Sequence, residues 1–210
     1  MILKRTVIAV LITAAFAGCA PTPPTKTENI CRIFDQNPEW YDYARKSQKK
    51  WGTPIPTLIS FVKQESAFVS NAKPAREWFL FIPVGRPSSA KGYAQAQDPV
   101  WKEYKQENGG LFKSRTDMKD ALDFIGWYNN KTHKRLKISK WDSYNLYLAY
   151  HEGHGGYRRG SYKSKKTVMR TATKVDAQAK RYSAQLKECE RRFKCRKWYQ
   201  FWPFCKKNKK

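Results

Sequence analysis

Pro56-Thr57-Leu58-Ile59-Ser60-Phe61-Val62-Lys63-Gln64-Glu65-Ser66-Ala67-Phe68 is patterned as an amphipathic helix that carries an acid: Leu58, Phe61, Val62 and Glu65 fall at helical spacing on one side. Glu65 therefore lies in line with an apolar stripe. Burial there without a cation would disfavour the charged form and lift the pKa above the ordinary value of about 4.3. A carboxylic acid kept protonated near neutrality can donate its proton to a reacting group. Taken alone, the stretch more often describes a Glu that ends a helix and points to water. The surrounding chain has to decide between the two.

On the N-terminal side, Asn37-Pro38 reads as an N-cap with Pro at the first helical position, and Gly52 stops that helix just after Trp51. On the C-terminal side, Pro74, Pro83, Gly85 and Pro87 interrupt the aromatic run Trp78-Phe79-Leu80-Phe81. So many prolines oppose a long helix or a central strand, which predicts one long loop over 69–90, packed and facing a ligand because of its apolar content. Gly92-Tyr93-Ala94-Gln95 opens a short helical piece, and Asp98, as a cap before Pro99, starts a helix that ends at Gly109-Gly110. A helix over about 116–130 follows, with Met118, Leu122, Ile125 and Tyr128 on one stripe. Ser139 then caps a helix through Trp141, Tyr144, Leu148 and Tyr150, terminated by Gly153 and Gly155-Gly156. In the last long helix Val168, Ala172, Val175, Ala179, Tyr182 and Leu186 recur at steps of four and three. No alternating strand pattern stands out. The expected fold class is all-α, one globular domain over 31–189 with no internal repeat.

The 210 residues hold 42 Lys and Arg against 17 Asp and Glu, a formal net charge of +25. Such an excess points to a polyanionic partner: nucleic acid, an anionic membrane face or a carboxylate-rich polymer such as a cell wall. The N-terminus chooses among them. Lys4 and Arg5 precede an apolar run from Val7 to Ala17, too short for a comfortable membrane span and followed by Phe16-Ala17-Gly18-Cys19. Residues 1–18 read as a secretory signal, which argues against nucleic acid. The four-residue ending resembles a bacterial lipobox, implying cleavage before Cys19 and a lipid on its thiol. Ala20 in the next position, rather than Asp, implies by the same resemblance an outer-membrane lipoprotein facing the periplasm. A plain secretory signal cleaved nearby is the alternative. The Pro- and Thr-rich residues 19–30 should form a flexible tether.

With Cys19 lipidated, Cys31, Cys189, Cys195 and Cys205 remain, an even number in an oxidising compartment. Three pairings are open. Cys31 with Cys189, closing the domain's two ends, and Cys195 with Cys205, closing a small loop, are favoured. A four-thiol zinc site is the rival, but it lacks paired C-x-x-C knuckles. The tail over 190–210 interleaves Lys and Arg with Phe193, Trp198, Tyr199, Phe201, Trp202 and Phe204. Rings among cations suit a lipid headgroup interface or stacking on a glycan, and they can equally pack back on the domain.

Three short segments together resemble the lysozyme-like lytic transglycosylases of the soluble-lytic-transglycosylase type. Gln64-Glu65-Ser66 is similar to that family's helix-borne Glu-Ser. Ser89-Ala90-Lys91-Gly92-Tyr93-Ala94-Gln95 is similar to its Gly-Leu-Met-Gln segment, with Ala94 in place of Met. Ala149-Tyr150-His151-Glu152-Gly153 is similar to its Ala-Tyr-Asn-x-Gly, with His151 in place of Asn. The resemblance spans roughly residues 38–188. It implies a lysozyme-like fold, a peptidoglycan substrate and cleavage between MurNAc and GlcNAc by a single carboxylate, Glu65, with a 1,6-anhydroMurNAc product. It further implies that Tyr150 hydrogen-bonds Glu65, that Gln95 and Ser89 line the groove, and that Ser66 and His151 sit among the substrate contacts.

An ordinary glycosidase needs a second carboxyl group across the bond. Glu77, Asp98 and Glu152 are the nearby acids; Asp98 is explained as a cap and Glu152 points elsewhere, which leaves Glu77 for a hydrolase. A non-catalytic wall-binding lipoprotein is the reading from another class. His151-Glu152-Gly153-His154 sets its histidines three apart, whereas a zinc helix of the H-E-x-x-H kind needs four, so no metal is expected. No cofactor is implied. The expected partners are peptidoglycan strands and a membrane, the latter through the lipid and the C-terminal tail, with an envelope-spanning machine as a further candidate and the chain itself a monomer.

Overall fold

The computed structural model describes residues 22–194. The expectations for the leader and Cys19, for Cys195 and Cys205, and for the rings from Trp198 onward lie outside these residues. Seven α-helices make up the described domain: α1 (Ile30–Gln36), α2 (Pro38–Trp51), α3 (Ile55–Ser66), α4 (Asp98–Asn108), α5 (Met118–Leu136), α6 (Ser143–Arg159) and α7 (Lys166–Lys194). A hairpin of β1 (Glu77–Phe79) and β2 (Ile82–Gly85) interrupts them, and a 3-10 turn at Ser161–Ser164 precedes α7. The all-α reading holds apart from that hairpin.

The helix bearing Glu65 is the centre of the fold. Every residue of α3 from Ile55 to Val62 is buried, more than the one-sided stripe in the sequence indicates, as befits a helix packed on nearly all sides. Gln48 Oε1 accepts from the Ile55 backbone N–H at 2.8 Å, doing the work of the side-chain cap that Pro54 cannot supply. Thr57 and Ser143 hydroxyls meet at 2.9 Å and satisfy each other where α3 crosses α6. The helix ends abruptly because Ala67 and Phe68 both take positive φ, 48° and 65°. Burial of Phe68, stacked on Trp40 with ring centroids 5.8 Å apart, holds that unusual turn in place.

Helices α2 and α5 approach closely at Gly126, where an added Cβ would stand 2.3 Å from Ser47 Oγ. Ser47 itself donates to Leu122 O at 2.7 Å across the same seam. The Asp123 carboxylate accepts from Trp51 Nε1 at 2.7 Å and from Tyr104 OH at 2.6 Å, joining α2, α4 and α5. The last helix carries its apolar stripe as expected: Val168, Ala172, Val175, Ala179, Tyr182 and Leu186 are all buried. It runs on past Cys189 to Lys194. Phe193 packs back on the core, 5.5 Å from Phe34 and 5.6 Å from Tyr41 between ring centroids. A disulfide joins Cys31 on α1 to Cys189 on α7, with Cα atoms 6.1 Å apart.

Several local expectations are corrected. The stretch 69–90 is not one packed loop: Trp78 pairs with Pro83 and Phe79 with Ile82 around a two-residue turn whose Leu80 takes φ 55°. A two-stranded ribbon is all edge, so Pro83 removes no ladder bond from a central strand. The side chains of Leu80, Phe81, Ile82 and Val84 are exposed rather than packed. Gly92 to Gln95 is a tight turn closed by a Lys91–Ala96 bridge, not a helical piece. Asp98 is the first residue of α4 and pairs with Arg115 at 2.7 Å instead of capping. Asp142, not Ser139, caps α6, and Trp141 lies outside the helix, exposed. Finally, the end of the tether is fixed: Thr25 exchanges two hydrogen bonds with Gln36, Tyr182 OH donates to Thr27 O, and Gln185 Nε2 donates to Glu28 O.

Candidate active site

The C-terminal turn of α3, the Gly92 turn and the middle of α6 converge on Glu65. Part of the Glu65 side chain reaches solvent, but its carboxyl is desolvated, and that burial pushes its pKa up to about 7. The negative end of the helix works in the same direction. A hydrogen bond from Tyr147 opposes the rise by favouring the carboxylate. Tyr147 is itself held protonated, first by burial and then by the Glu65 charge beside it. The two groups therefore form a donor–acceptor pair in which the acid titrates near neutrality and the phenol does not.

The partner expected for Glu65 was Tyr150, and the hydrogen bond is made by Tyr147, one turn earlier on the same face of α6. Tyr150 donates to Ala94 O at 2.5 Å, so it fastens the Gly92 turn to α6. Phe61 separates the two phenols, with centroids 5.4 Å from Tyr147 and 5.3 Å from Tyr150. The spacing of three between Tyr147 and Tyr150 was a signal available in the sequence, since both had to face α3 if either did.

The turn over Lys91–Ala96 is built from backbone contacts that tolerate little change. Gly92 N–H donates to Ala72 O at 2.8 Å, and Tyr93 N–H to Arg115 O at 3.1 Å. Gly92 has φ 80°, and a Cβ there would lie 1.9 Å from Arg115 O, so only glycine fits. Gln95, at φ 46°, sends both amide protons into the fold, to Ala72 O at 3.0 Å and Gly92 O at 2.9 Å. Its amide oxygen is thus the group it can still offer a ligand.

Other expected contacts have structural duties. Ser66 is buried and donates to Val62 O at 3.1 Å, within its own helix. Ser89 Oγ accepts from the Asp98 N–H at 3.0 Å, capping α4 from a distance, and Ser89 O accepts from Arg115 at 3.1 Å. His151 is exposed, with Nδ1 3.1 Å from Glu152 Oε1. His154 turns the other way, stacking on Tyr128 at 4.6 Å and meeting Thr132 Oγ1 at 2.8 Å. Burial first, then Arg135 and Lys131, push its pKa down to about 4, so it is neutral at pH 7. The two imidazoles diverge because Gly153, at φ 71° and ψ 161°, kinks α6 between them; the helix resumes and ends only at Gly160.

Glu152 shows the opposite environment to Glu65. Burial would raise its pKa, but hydrogen bonds from Ser161, Lys165 and His151 outweigh that and hold it at about 2. It is an ionised structural carboxylate tying α6 to the 3-10 turn, with Lys165 Nζ 2.9 Å away. Glu77 sits exposed on β1. The Glu65 carboxyl is raised where those of Glu107, Asp123 and Glu152 are lowered by their hydrogen-bonding and charged partners.

A family model described as "Transglycosylase SLT domain" matches residues 7–189 of this chain. Comparison with curated proteins and with solved structures finds no match.

Proposed function

Because the chain belongs to the transglycosylase SLT-domain family, a family of peptidoglycan-acting lytic enzymes, we propose that Glu65 is the sole acid and base in cleavage of the MurNAc–GlcNAc bond. The observation that carries this reading is the environment of Glu65: a carboxyl desolvated at a helix end, with its pKa near 7 and a phenol hydrogen-bonded to it. Protonated Glu65 gives its proton to the glycosidic oxygen as the C–O bond breaks, and GlcNAc leaves with a free 4-hydroxyl. The MurNAc N-acetyl oxygen covers the developing positive charge at the anomeric carbon. Glu65, now a carboxylate steadied by Tyr147, takes the proton of the MurNAc 6-hydroxyl while that oxygen bonds the anomeric carbon. The product is a 1,6-anhydro ring, no water is consumed, and the acid ends protonated as it began.

A pKa near 7 serves both halves of this cycle, since the group must lose and regain a proton at the pH where it works. Tyr150 and Gly92 act on the geometry rather than the chemistry, by setting the turn that carries Gln95 against α6. The basic surface would hold a polymer rich in peptide carboxylates, with an affinity that falls as salt rises. We place the protein, by the Cys19 motif, at the outer membrane as a lipoprotein facing the periplasm.

The test is mass spectrometry of soluble products released from peptidoglycan sacculi. Products ending in 1,6-anhydroMurNAc are expected. Reducing-end products would instead demand a second carboxylate, with Glu77 the first to replace, and bound sacculi without any product would leave a binding module.

Replacing Tyr147 by Phe separates the two duties of Glu65. The phenol lowers the Glu65 pKa, so its loss should move the alkaline limb of the pH–rate profile upward, by about one pH unit. The same change withdraws a donor from the carboxylate formed mid-reaction and should slow turnover roughly tenfold or more at pH 7. A profile unmoved on its alkaline side would show that Tyr147 does not govern Glu65.

A further inference from the structure

A cavity of about 350 Å³ opens between α3 and α7, lined by Ser60, Lys63, Gln64, Lys174, Gln178 and Arg181 among others. Its charge is one-sided: the lining carries three cations and no carboxylate. Gln178 is buried, and its Oε1 accepts from Lys63 Nζ at 2.9 Å, which fixes which end of the amide faces which way, because an ammonium can only donate. The Gln178 Nε2 that this leaves over is buried without an acceptor. Lys174, four residues earlier on α7, is exposed and has no partner among the described residues. Three cations thus border one cavity with an unpaired amide donor buried behind them, an arrangement that favours an anionic ligand.

One carboxylate already leans on this site. Glu28, from the segment that leads into α1, pairs with Lys63 and with Arg181, the latter at 3.3 Å. Its side chain is largely exposed, and it meets two of the cations while Lys174 and the Gln178 Nε2 stay unpaired. Asp176, on the same helix, is taken by Lys180 at 2.7 Å and does not compete. The chain itself therefore shows which functional group the cavity's rim receives, and it leaves half of the donor set unused.

We infer that this cavity is a carboxylate-binding subsite for the stem peptides of peptidoglycan, with Glu28 as a displaceable internal occupant of its rim. The inference rests on the proposed wall substrate. Gln64 and Ser60 share a face of α3, and Gln64 directly precedes Glu65. A strand held at Glu65 would carry peptides from its MurNAc units, and an extended pentapeptide reaches up to about 17 Å, so their carboxylates can arrive at the far side of the same helix.

The test uses the full-length protein and the synthetic pentapeptide L-Ala-γ-D-Glu-meso-diaminopimelyl-D-Ala-D-Ala, followed by calorimetry and by the side-chain amide NMR signal of Gln178. Saturable binding that shifts this signal is expected, weakened about tenfold by Lys174→Glu and strengthened by Glu28→Gln. Lys174 is exposed and unpaired, so its replacement leaves the fold unburdened. The same peptide with its carboxyl groups amidated should not bind. Equal affinity for wild type and Lys174→Glu would overturn the assignment, as would acetate or phosphate giving the same shift at the same concentration. The peptide has no glycosidic bond, so its binding is independent of cleavage. A protein that binds it but releases no anhydro product keeps the subsite and loses the Glu65 reaction; one that cleaves sacculi without binding it does the reverse.

Discussion

The Glu65→Gln protein is expected to release no anhydro-muropeptides above background, a loss of roughly a thousandfold or more in rate, while becoming more stable than wild type at alkaline pH. Gln is nearly isosteric with Glu and keeps an acceptor for Tyr147, but it can neither give a proton to the leaving oxygen nor take one from the 6-hydroxyl. The stability gain follows from the direction of the pKa shift. Burial raises Glu65 from its ordinary 4.5 to about 7, so the folded state holds its proton more tightly than the unfolded chain does. The contribution of the protonated acid is whole below about pH 4.5 and is lost as pH rises through 7, a cost approaching about 3 kcal/mol in wild type that Gln does not incur. Denaturant melts of both proteins at pH 5 and pH 8 check this: the curves should lie close together at the first and separate at the second. Full activity in the variant would sink the single-acid mechanism, whereas identical melts at both pH values would mean that the carboxyl is not desolvated.

Breaking the Cys31–Cys189 bridge should produce the largest loss of stability. The two residues are 158 apart in sequence, so the crosslink removes a very long loop from the unfolded ensemble. The chain-entropy treatment gives about 5 kcal/mol for such a loop, comparable with the whole stability of a marginal domain at about 5–15 kcal/mol. The loss should be felt first at α1, a seven-residue helix that could not persist alone. Its Ile30, Ile33 and Phe34 are fully buried, and beside the bridge the Ile30 N–H to Gln185 Oε1 bond at 3.0 Å, the Asp35–Arg192 ion pair at 3.3 Å and the Phe34–Phe193 ring contact hold it to α7. The paired replacement Cys31→Ser with Cys189→Ser should shift the urea midpoint strongly downward, and reductant should do the same to wild type while leaving the variant unmoved.

Much of this arrangement was legible because local and global demands coincide. The α3 stretch, the α7 stripe and the Pro38 and Gly52 boundaries are set by periodicity and by backbone chemistry that tertiary contacts reinforce. Three motifs far apart in sequence could be matched to a family, and in the structure they meet. What stayed hidden depended on partners the sequence does not announce. The hairpin has exposed Leu80, Phe81 and Ile82 where an apolar run suggested burial, because its pairing comes from backbone bonds and not from a core face. Glycine chemistry alone predicts a helix stop at Gly153, yet α6 bends there at φ 71° and continues to Arg159. The hydrogen bond to Glu65 expected of Tyr150 is made by Tyr147 one helical turn earlier, a difference that only the position of α3 decides. The polar tether read as flexible from composition, and Tyr182 and Gln185, more than 150 residues away, fix its end.

That fixed end governs how far the domain can wander. With Pro24 buried and the chain held from Thr25 onward against α1 and α7, four residues remain as leash between Cys19 and the anchored part. From Cys19 to Pro24 the chain, fully drawn out, spans about 17 Å. Were Cys19 lipidated as proposed, the domain would graze the bilayer rather than patrol the space above it, and glycan could be cut only where the wall runs within a protein's breadth of the membrane. Lengthening this leash by a Gly/Ser insert before Pro24 would then widen the territory of the enzyme without touching its chemistry.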